Sequence, residues 1–364
     1  MTAGVPEPAG TPAVLHTPAC ELFGVRYPIV QTGMGWVAGA RLAAATSEAG
    51  GLGILASATM TYEQLAGAVA EVKGRTAAPF GVNLRSNHPD VGQIVDLLIA
   101  EGVKVASFAQ APNPSLVAGL REGGVVTMPT IAAPRHAEKV AGWGVDAVIA
   151  QGHEGGGHTG SIPTSLLLPA VTRAVSIPVL GAGGFHDGRG LVAALAWGAA
   201  GVAMGTRFLL TRESTVPDEV KARYLAAALT DTVVTRAIDG QPQRVIRTSL
   251  VDRLEGRHGP SATPVALASA LRLRRLTGTS LRALVREGLA MKRSEGLTWS
   301  QVLMAANAPM LTRAALVEGR LEAGVLPTGQ VTGLVDDLPS VAELIDAMMK
   351  EAVECLERLG PPRR

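Results

Sequence analysis

The feature that most constrains this chain is a set of eight short, largely β-branched segments at nearly constant spacing. They begin at positions 28, 52, 80, 103, 125, 147, 177 and 201, so that successive starts lie 22 to 30 residues apart. Such an interval holds one strand, one helix of about three turns and two short loops. Amphipathic, alanine-rich stretches fill the intervals, as is typical of βα units. The sequence therefore predicts an α/β fold, specifically a (β/α)8 TIM barrel.

After the eighth unit the βα alternation stops, and the rest of the chain is predicted to be helical. We expect a loose N-terminal arm at 1–20, a barrel at 21–210, a basic helical cap domain over the barrel mouth at 211–327, and a return segment with a C-terminal helix packing on the barrel at 328–364. Within the cap, residues 236–293 carry twelve basic and four acidic side chains, a net charge of +8, against +2 for the whole chain.

Composition excludes several classes of protein. With 47% hydrophobic, 18% charged and 3% aromatic residues, the chain is neither disordered nor a base-stacking nucleic-acid module. No apolar run reaches the roughly 18 residues of a membrane span, and no signal peptide is evident, so we expect a cytoplasmic protein. Cys20 and Cys355 lie near opposite ends without metal-ligand spacing, which predicts neither a disulfide nor a zinc site.

Two glycine-rich turns follow the last two predicted strands, GAGGF at 181–185 and MGTRF at 204–208. In barrels of this type the chemistry lies at the carboxyl ends of the strands, and phosphates commonly bind after strands seven and eight. Glycines there let backbone N–H groups converge on an anion. The two turns predict a phosphate site, to which Thr206 could add a hydroxyl donor. Arg207 is either a phosphate clamp or a solvated surface charge.

The longest interval follows the sixth strand and contains HEGGGH at 153–158. Zinc binding is not expected, because the two histidines are five residues apart and three successive glycines oppose the helix that would align them. His158 is instead predicted to act as a general base or hydrogen-bond donor at the reacting centre. The alternative is a loop histidine that faces water.

Polar residues also mark the ends of other strands. GMGWVAG at 33–39 resembles a dinucleotide fingerprint, but its third glycine comes one position late and no acidic residue ends the next strand. These glycines suit the close approach of the first strand to a flat ring, with Gln31 and Met34 beside it. Asn83 and Gln151 end the third and sixth strands and are predicted ligand contacts, although lone amides are often satisfied core groups.

Taken together, the motifs QTGMG, GVN, QGHEGGGHTG, GAGGFHDGRGLVAALAWGA, MGTRFL and LPTGQVTGL resemble the nitronate monooxygenase family, which includes related flavin-dependent enoyl reductases. The resemblance covers about residues 22–211 and 324–338. It implies a barrel that binds FMN without a covalent link. It also implies a flavin-dependent oxidoreductase with His158 as its catalytic histidine.

The resemblance also assigns the cofactor site. It implies that the phosphate is held by Gly181, Gly183, Gly184, Gly205 and Thr206, and that the ring and ribityl chain are surrounded by Gln31, Gly33, Met34, Asn83 and Gln151. Gly155 and Gly156 are expected to pass close to the ring, and Gln330 belongs to a segment that returns toward the flavin.

Three chemistries are compatible with this resemblance. The first is oxidation of a nitronate or similar stabilised carbanion with O2. The others are NAD(P)H-linked reduction or dehydrogenation of a CoA thioester or enoyl substrate, and quinone reduction by NADH. QTGMGWVAGARL, GLGILASATMT and LTWSQVLMAANAPML most resemble an actinobacterial branch associated with steroid-ring breakdown, whose substrate is a CoA thioester. The basic segment suits the CoA phosphates.

Two further expectations concern partners. A homo-oligomer is compatible with the sequence, whereas nucleic acid and membrane partners are not expected. The RLRR stretch at 272–275 lacks the aromatic interleaving of nucleic-acid modules. A hypothesis of another class is a non-catalytic barrel that binds a phosphate-bearing ligand, which predicts a colourless protein.

Overall fold

The computed structural model describes residues 12–109, 111–255 and 299–360. Eight parallel strands close into a barrel in the order β1-β2-β3-β4-β5-β6-β8-β9, which confirms the predicted TIM barrel. The barrel strands are β1 (Ile29–Gln31), β2 (Leu52–Ala56), β3 (Phe80–Leu84), β4 (Val105–Phe108), β5 (Val126–Ile131), β6 (Val148–Gln151), β8 (Val179–Ala182) and β9 (Gly201–Met204).

Helices cover the barrel and extend beyond it. They are α1 (Pro18–Phe23), α2 (Ala40–Glu48), α3 (Tyr62–Arg75), α4 (Val91–Ala100), α5 (Pro114–Glu122), α6 (Pro134–Ala141), α7 (Thr164–Ala174), α8 (Gly188–Ala196), α9 (Thr206–Leu209), α10 (Asp218–Leu225), α11 (Ser249–Glu255), α12 (Trp299–Leu316) and α13 (Val341–Leu359). Helix α3 begins with a capping box in which the Thr61 hydroxyl accepts from Gln64 N and the Gln64 side chain accepts from Thr61 N. Within the described ranges, no helix is long and apolar enough to span a bilayer.

Side chains alternate between the two faces of the barrel wall. Val30, Ile54 and Leu180 belong to the cluster inside the barrel, whereas Ile29 and Val202 pack outward against the helices. This period of two is the expected one for strands buried on both faces. This alternation determines which side chains of a strand point into the barrel interior and which point toward the helices.

The N-terminal arm is shorter than the sequence predicted. A 3₁₀ turn at Ala13–Leu15 and helix α1 already belong to the fold. Ala19 and Phe23 of α1 are buried in the cluster that fills the barrel interior. These apolar side chains would otherwise face water, and their burial fixes the arm from residue 13 onward.

The segment after the barrel is not helical throughout, contrary to the prediction for 211–327. It contains an antiparallel hairpin of β10 (Thr232–Thr235) and β11 (Gln243–Ile246). The hairpin pairs with the short strand β7 (Gly157–His158), which lies in the loop after β6. Runs of β-branched residues favour strands here, and Gly240 supplies a turn residue at φ +90°. The basic stretch at 256–298 lies outside the described residues.

The last part of the chain returns to the barrel. Val245 forms a β-bridge with Pro327, and a 3₁₀ turn follows at Gln330–Leu334. Helix α13 then packs on α8 so closely that a Cβ at Gly188 would overlap the Met348 carbonyl. Helix α13 thus closes the fold against the barrel's outer layer.

Helix α12 lies on the loop that follows β1. The indole Nε1 of Trp36 donates to the Pro309 carbonyl over 3.1 Å. The Arg313 guanidinium lies 5.4 Å from the centre of the Trp36 ring, a cation–π contact. Trp36 has a φ of +67°, which is rare for a bulky residue. The post-barrel segment is therefore anchored beside the mouth of the barrel.

Candidate active site

Four backbone segments meet at one side of the barrel mouth. They are the loop after β6, the turn after β8, the start of α9 and the return segment. A Cβ at Gly183, whose φ is +90°, would lie 2.9 Å from Gly155 N, and one at Gly156 would lie 2.5 Å from Gly329 N. Gly329 N in turn donates to Thr206 Oγ1 over 2.8 Å. Glycine is required where these backbones approach, because a side chain would push the segments apart.

A second group of predicted residues lies where β1, β3 and β9 end. A Cβ at Gly33 would overlap that of Asn83, so the end of β1 runs directly across the Asn83 side chain. The Asn83 amide donates to Ser107 Oγ over 3.0 Å. A Cβ at Gly205 would lie 3.3 Å from Met34 Sδ. The structure thus brings Gly33, Met34, Asn83 and Gly205 together.

Two predicted ligands lie in the barrel wall instead of at its mouth. Gln31 is 0% exposed, and its amide bonds the backbone of β2, donating to Ile54 O over 3.1 Å and accepting from Ile54 N over 3.3 Å. Gly181 faces outward, since a Cβ there would lie 2.8 Å from the Leu168 side chain of α7. Both follow an inward-facing residue, so strand alternation turns them away from the interior.

The side-chain amides of Gln151 and Gln330 both donate hydrogen bonds to backbone carbonyl groups. The Gln151 amide donates to the His158 carbonyl over 2.7 Å and so spans the loop that carries the histidine. Gln330 N donates to the Glu154 carbonyl over 2.9 Å, whereas its side-chain amide donates to Leu229 O over 3.3 Å. The contacts of both residues fix the loop after β6.

His158 lies on β7 and is engaged by the hairpin. Its Nε2 is 2.7 Å from Oδ2 of Asp239, which lies in the β10–β11 turn. The Gln243 amide donates to the same carboxylate oxygen and lies 3.2 Å from His158 Nε2. The His158 side chain is 63% exposed, whereas that of Asp239 is 11% exposed. An accessible imidazole is thus held from one side by a largely buried carboxylate.

The surroundings of Asp239 favour its ionised form. Burial alone would raise the pKa of the Asp239 carboxyl. The hydrogen bond and charge of His158, the Gln241 N–H at 3.0 Å from Oδ1 and the Gln243 amide together outweigh burial, so the pKa of Asp239 lies below its usual value. The site therefore pairs a carboxylate with the histidine at neutral pH.

Two charged residues brace the loop that carries His158. Buried Arg244 donates from Nε and Nη2 to the His153 carbonyl over 3.3 and 3.1 Å, and from Nη1 to Thr232 Oγ1 over 2.9 Å. Burial lowers the pKa of Arg244, and the charge of Glu154 opposes this shift. The Glu154 carboxylate accepts from Thr164 N and Thr164 Oγ1, each over 2.9 Å. The loop is held at several points.

The turns after β8 and β9 fit the phosphate of a flavin nucleotide. Gly183 and Gly184 both have positive φ, and a Cβ on Gly183 would fill the space between the turn and Gly155. The Thr206 hydroxyl accepts from Gly329 N and keeps its own proton to donate.

Arg207, at the start of α9, carries unsatisfied buried donors beside these turns. It is 4% exposed, and its Nη1 donates to Asp337 Oδ1 over 2.7 Å, but its buried Nε and Nη2 have no partner among the residues that the structure describes. Its charge also helps to lower the pKa of His186, behind the larger effect of burial and against the charge of Asp187. An anion is the partner that such donors lack. Arg207 is therefore not a solvated surface charge.

The sequence model of a protein family described as nitronate monooxygenase matches residues 16–97 and 91–351. The chain belongs to the nitronate monooxygenase family. It is therefore an oxidoreductase of a family whose members are typically flavin enzymes. The predicted family is confirmed.

Two relatives in the family are similar over almost their whole length. Both are named (3aS,4S,5R,7aS)-5-hydroxy-7a-methyl-1-oxo-octahydro-1H-indene-4-carboxyl-CoA dehydrogenase. The protein of Mycobacterium tuberculosis is 58% identical over 94% of this chain and 98% of its own length. That of Rhodococcus jostii is 57% identical over 96% and 99%. Among solved structures, FabK from Thermotoga maritima is 36% identical with a TM-score of 0.76, over 94% of this chain and 98% of its own.

Sequence reasoning missed the residues of the hairpin that hold His158 and its loop. Asp239, Gln243 and Arg244 all lie in a segment that was predicted to be helical. Two signals could have revealed them, namely the β-branched runs TVVT and RVI and the Asp-Gly pair between them. Such runs flanking an Asp-Gly turn indicate a hairpin. That this hairpin meets the loop after β6 is a tertiary contact, which no local pattern contains.

Proposed function

We propose that this chain is an FMN-dependent dehydrogenase that oxidises a CoA thioester at the carbons next to the thioester carbonyl. The observation that carries this proposal is the identity of 58% and 57% to two relatives named as dehydrogenases of one CoA thioester, over 94% and 96% of the chain. Nitronate oxidation with O2, the first of the three chemistries, is supported at the level of the family.

The residues of the mouth support the binding of FMN. In this proposal its phosphate lies against Gly183, Gly184, Gly205 and Thr206, with Arg207 as the charged partner. The loop after β6 and the group of Gly33, Met34 and Asn83 would hold the ring. When bound, the flavin supplies a two-electron acceptor for a hydride.

His158 supplies the proton transfer. A thioester carbonyl acidifies the C–H bond beside it, and an accessible imidazole within reach can take that proton. Loss of one proton and one hydride from adjacent carbons leaves a C=C bond conjugated with the thioester. An external oxidant, which is a nicotinamide, a quinone or O2, must take up the two electrons in the second half of the cycle.

The first test identifies the cofactor. We expect the purified protein to be yellow and to release FMN, not FAD, on heat denaturation, as measured by chromatography of the supernatant. A colourless protein that does not take up added FMN would contradict the proposal and support a non-catalytic binding barrel.

The second test identifies the substrate class. The oxidised flavoprotein is mixed anaerobically with the indene-4-carboxyl-CoA thioester that names the two relatives, with the matching free acid, and with an alkyl nitronate. We expect the thioester to bleach the flavin absorbance and the free acid to leave it unchanged. Bleaching by the nitronate with no response to the thioester would overturn the proposal in favour of the monooxygenase. A second mixing with NAD⁺, a quinone or O2 then identifies the electron acceptor, and NADH or NADPH tests the reverse direction.

A further inference from the structure

The two ring nitrogens of His158 have different surroundings. Nε2 lies 2.7 Å from Asp239 Oδ2. Nδ1 makes no hydrogen bond to any residue that the structure describes, and the side chain is 63% exposed. One nitrogen is therefore committed to the hairpin, and the other belongs to an exposed ring and is available to a ligand.

The chemistry of the partners fixes which nitrogen carries the proton. An ionised carboxylate can only accept hydrogen bonds, so at 2.7 Å from Asp239 the Nε2 of His158 must be the donor. The Gln243 amide nitrogen, 3.2 Å from Nε2, is also a donor, and it donates to the same carboxylate oxygen. Reversing the Gln243 amide would place its oxygen against that carboxylate, so this orientation is the favourable one.

We propose that Asp239 is a positioning residue that holds His158 as its Nε2–H tautomer, and that Nδ1 is the atom that exchanges a proton with the substrate. A neutral imidazole carries one N–H, so a proton on Nε2 leaves the lone pair on Nδ1. The identity of the substrate in this inference rests on the proposed function. The assignment of the His158 tautomer is independent of the proposed function.

The step balances within the proposed dehydrogenation. The substrate C–H proton would move to Nδ1, and its electron pair would form the C=C bond as the neighbouring carbon gave up a hydride. A flavin held at the barrel mouth would supply the acceptor for that hydride. His158 becomes an imidazolium whose Nε2–H remains with Asp239, and the carboxylate stays ionised and stabilises the new positive charge. In the reverse direction the same Nδ1–H protonates the unsaturated thioester.

The position of Asp239 is fixed by the fold. Gln243 pairs directly with His158 in the antiparallel register of β11 and β7. Two hydrogen bonds stabilise the turn that bears Asp239. Gln241 N donates to Asp239 Oδ1 over 3.0 Å, and Arg236 donates to the Gly240 carbonyl over 3.3 Å. The backbone of His158 is held by the Gln151 amide, which donates to the His158 carbonyl. Both partners are thus preorganised, as a dyad requires.

The kinetic experiment compares three substitutions at one position. In Asp239→Asn and Asp239→Leu we expect the rate of flavin bleaching by the thioester to fall by about 10- to 100-fold with FMN content unchanged, and Asp239→Glu to recover part of it. The matched control is Asp252→Asn, which removes an exposed ion pair with Arg247 and should leave the rate unchanged. Equal rates in wild type and Asp239→Asn would overturn the inference.

A spectroscopic experiment tests the tautomer without any substrate. In the ¹⁵N-histidine-labelled holoprotein, the His158 signals are identified by their loss in His158→Gln. We expect a protonated Nε2 and an unprotonated Nδ1 above the titration of the ring, and a mixture of tautomers in Asp239→Leu. A wild-type Nδ1–H tautomer would refute the inference. If the thioester fails to reduce the wild-type flavin, the proposed function is wrong, and the tautomer measurement still decides the role of Asp239.

Discussion

The two ends of the candidate site are built by different means. The phosphate end consists of backbone segments that pack so closely around Gly155, Gly156 and Gly183 that they leave no room for a Cβ. The proton-transfer end consists of side chains, His158 and Asp239, that lie 81 residues apart in the chain. In the proposed function, cofactor binding depends on this close backbone packing together with Arg207, whereas proton transfer depends on His158 and Asp239. Substitutions should therefore affect one end and spare the other.

The largest effect separates the two ends directly. We expect His158→Gln to lower the rate of flavin reduction by the thioester by about 10²-fold or more, because a glutamine amide cannot take up a proton at neutral pH. FMN content should match that of the wild type, since the phosphate end is untouched. His136→Gln, at an exposed position on α6, is the matched control. Loss of flavin from His158→Gln would show that the two ends are not independent.

A substitution at the phosphate end should produce the opposite result. Gly183→Ala places a Cβ 2.9 Å from Gly155 N at a residue with φ +90°. The left-handed conformation alone costs about 1–2 kcal/mol, and the collision adds to it. We expect FMN affinity to fall by more than about tenfold, measured by fluorescence titration of the apoprotein, with the fully loaded enzyme still active. Gly67→Ala, where a Cβ meets nothing within 4 Å, should retain wild-type affinity.

A milder change at the same end tests the hydroxyl group. Thr206→Val removes the acceptor of Gly329 N and leaves that N–H unpaired, at a cost of about 1–3 kcal/mol. It also removes a hydroxyl proton that Thr206 does not need for its bond to Gly329 N and that can be donated to a phosphate. We expect FMN affinity to fall by about five- to tenfold and the thermal midpoint of the apoprotein to fall as well. Thr206→Ser should restore both. Unchanged values in Thr206→Val would show that Thr206 contributes to neither.

The smallest expected effect is on stability against pH. The pKa of Asp239 is depressed in the folded protein, so its contribution to the free energy of unfolding is present above the unfolded pKa and disappears as the pH falls through the folded one. Between pH 7 and pH 3, the urea midpoint of the wild type should therefore fall further than that of Asp239→Asn. Parallel curves for the two proteins would show that Asp239 carries no such coupling.

The sequence predicted the barrel because its signal is local and repeated. Because eight similar units recur, the prediction of a barrel holds even where the predicted bounds of one unit are wrong by a few residues. The turns after β8 and β9 were found for the same reason, since their place in the barrel follows from the order of the strands. Asp239 could not be found in this way, because its role arises from a contact between β11 and a loop that precedes it by about eighty residues.

Gln31 and Gly181 illustrate a finer limit. Each lies in or at the end of a strand beside the mouth, where the family resemblance places ligands. Which face a residue presents depends on whether its position in the strand is odd or even, and a one-residue difference reverses it. Val30 and Leu180 point inward, so their neighbours point outward. The sequence establishes the region of the site more readily than the direction of each side chain.

The pairing of β7 with a hairpin from later in the chain also sets an order of events during synthesis. The last barrel strand ends at Met204, and 42 more residues must be added before β11 ends at Ile246. At about 5–20 residues per second, translation needs about 2–8 seconds for this stretch. The nascent chain thus carries every strand of the barrel before it contains the carboxylate that holds His158. Until Asp239 is added, 35 residues after Met204, the partly made protein has its histidine without its partner.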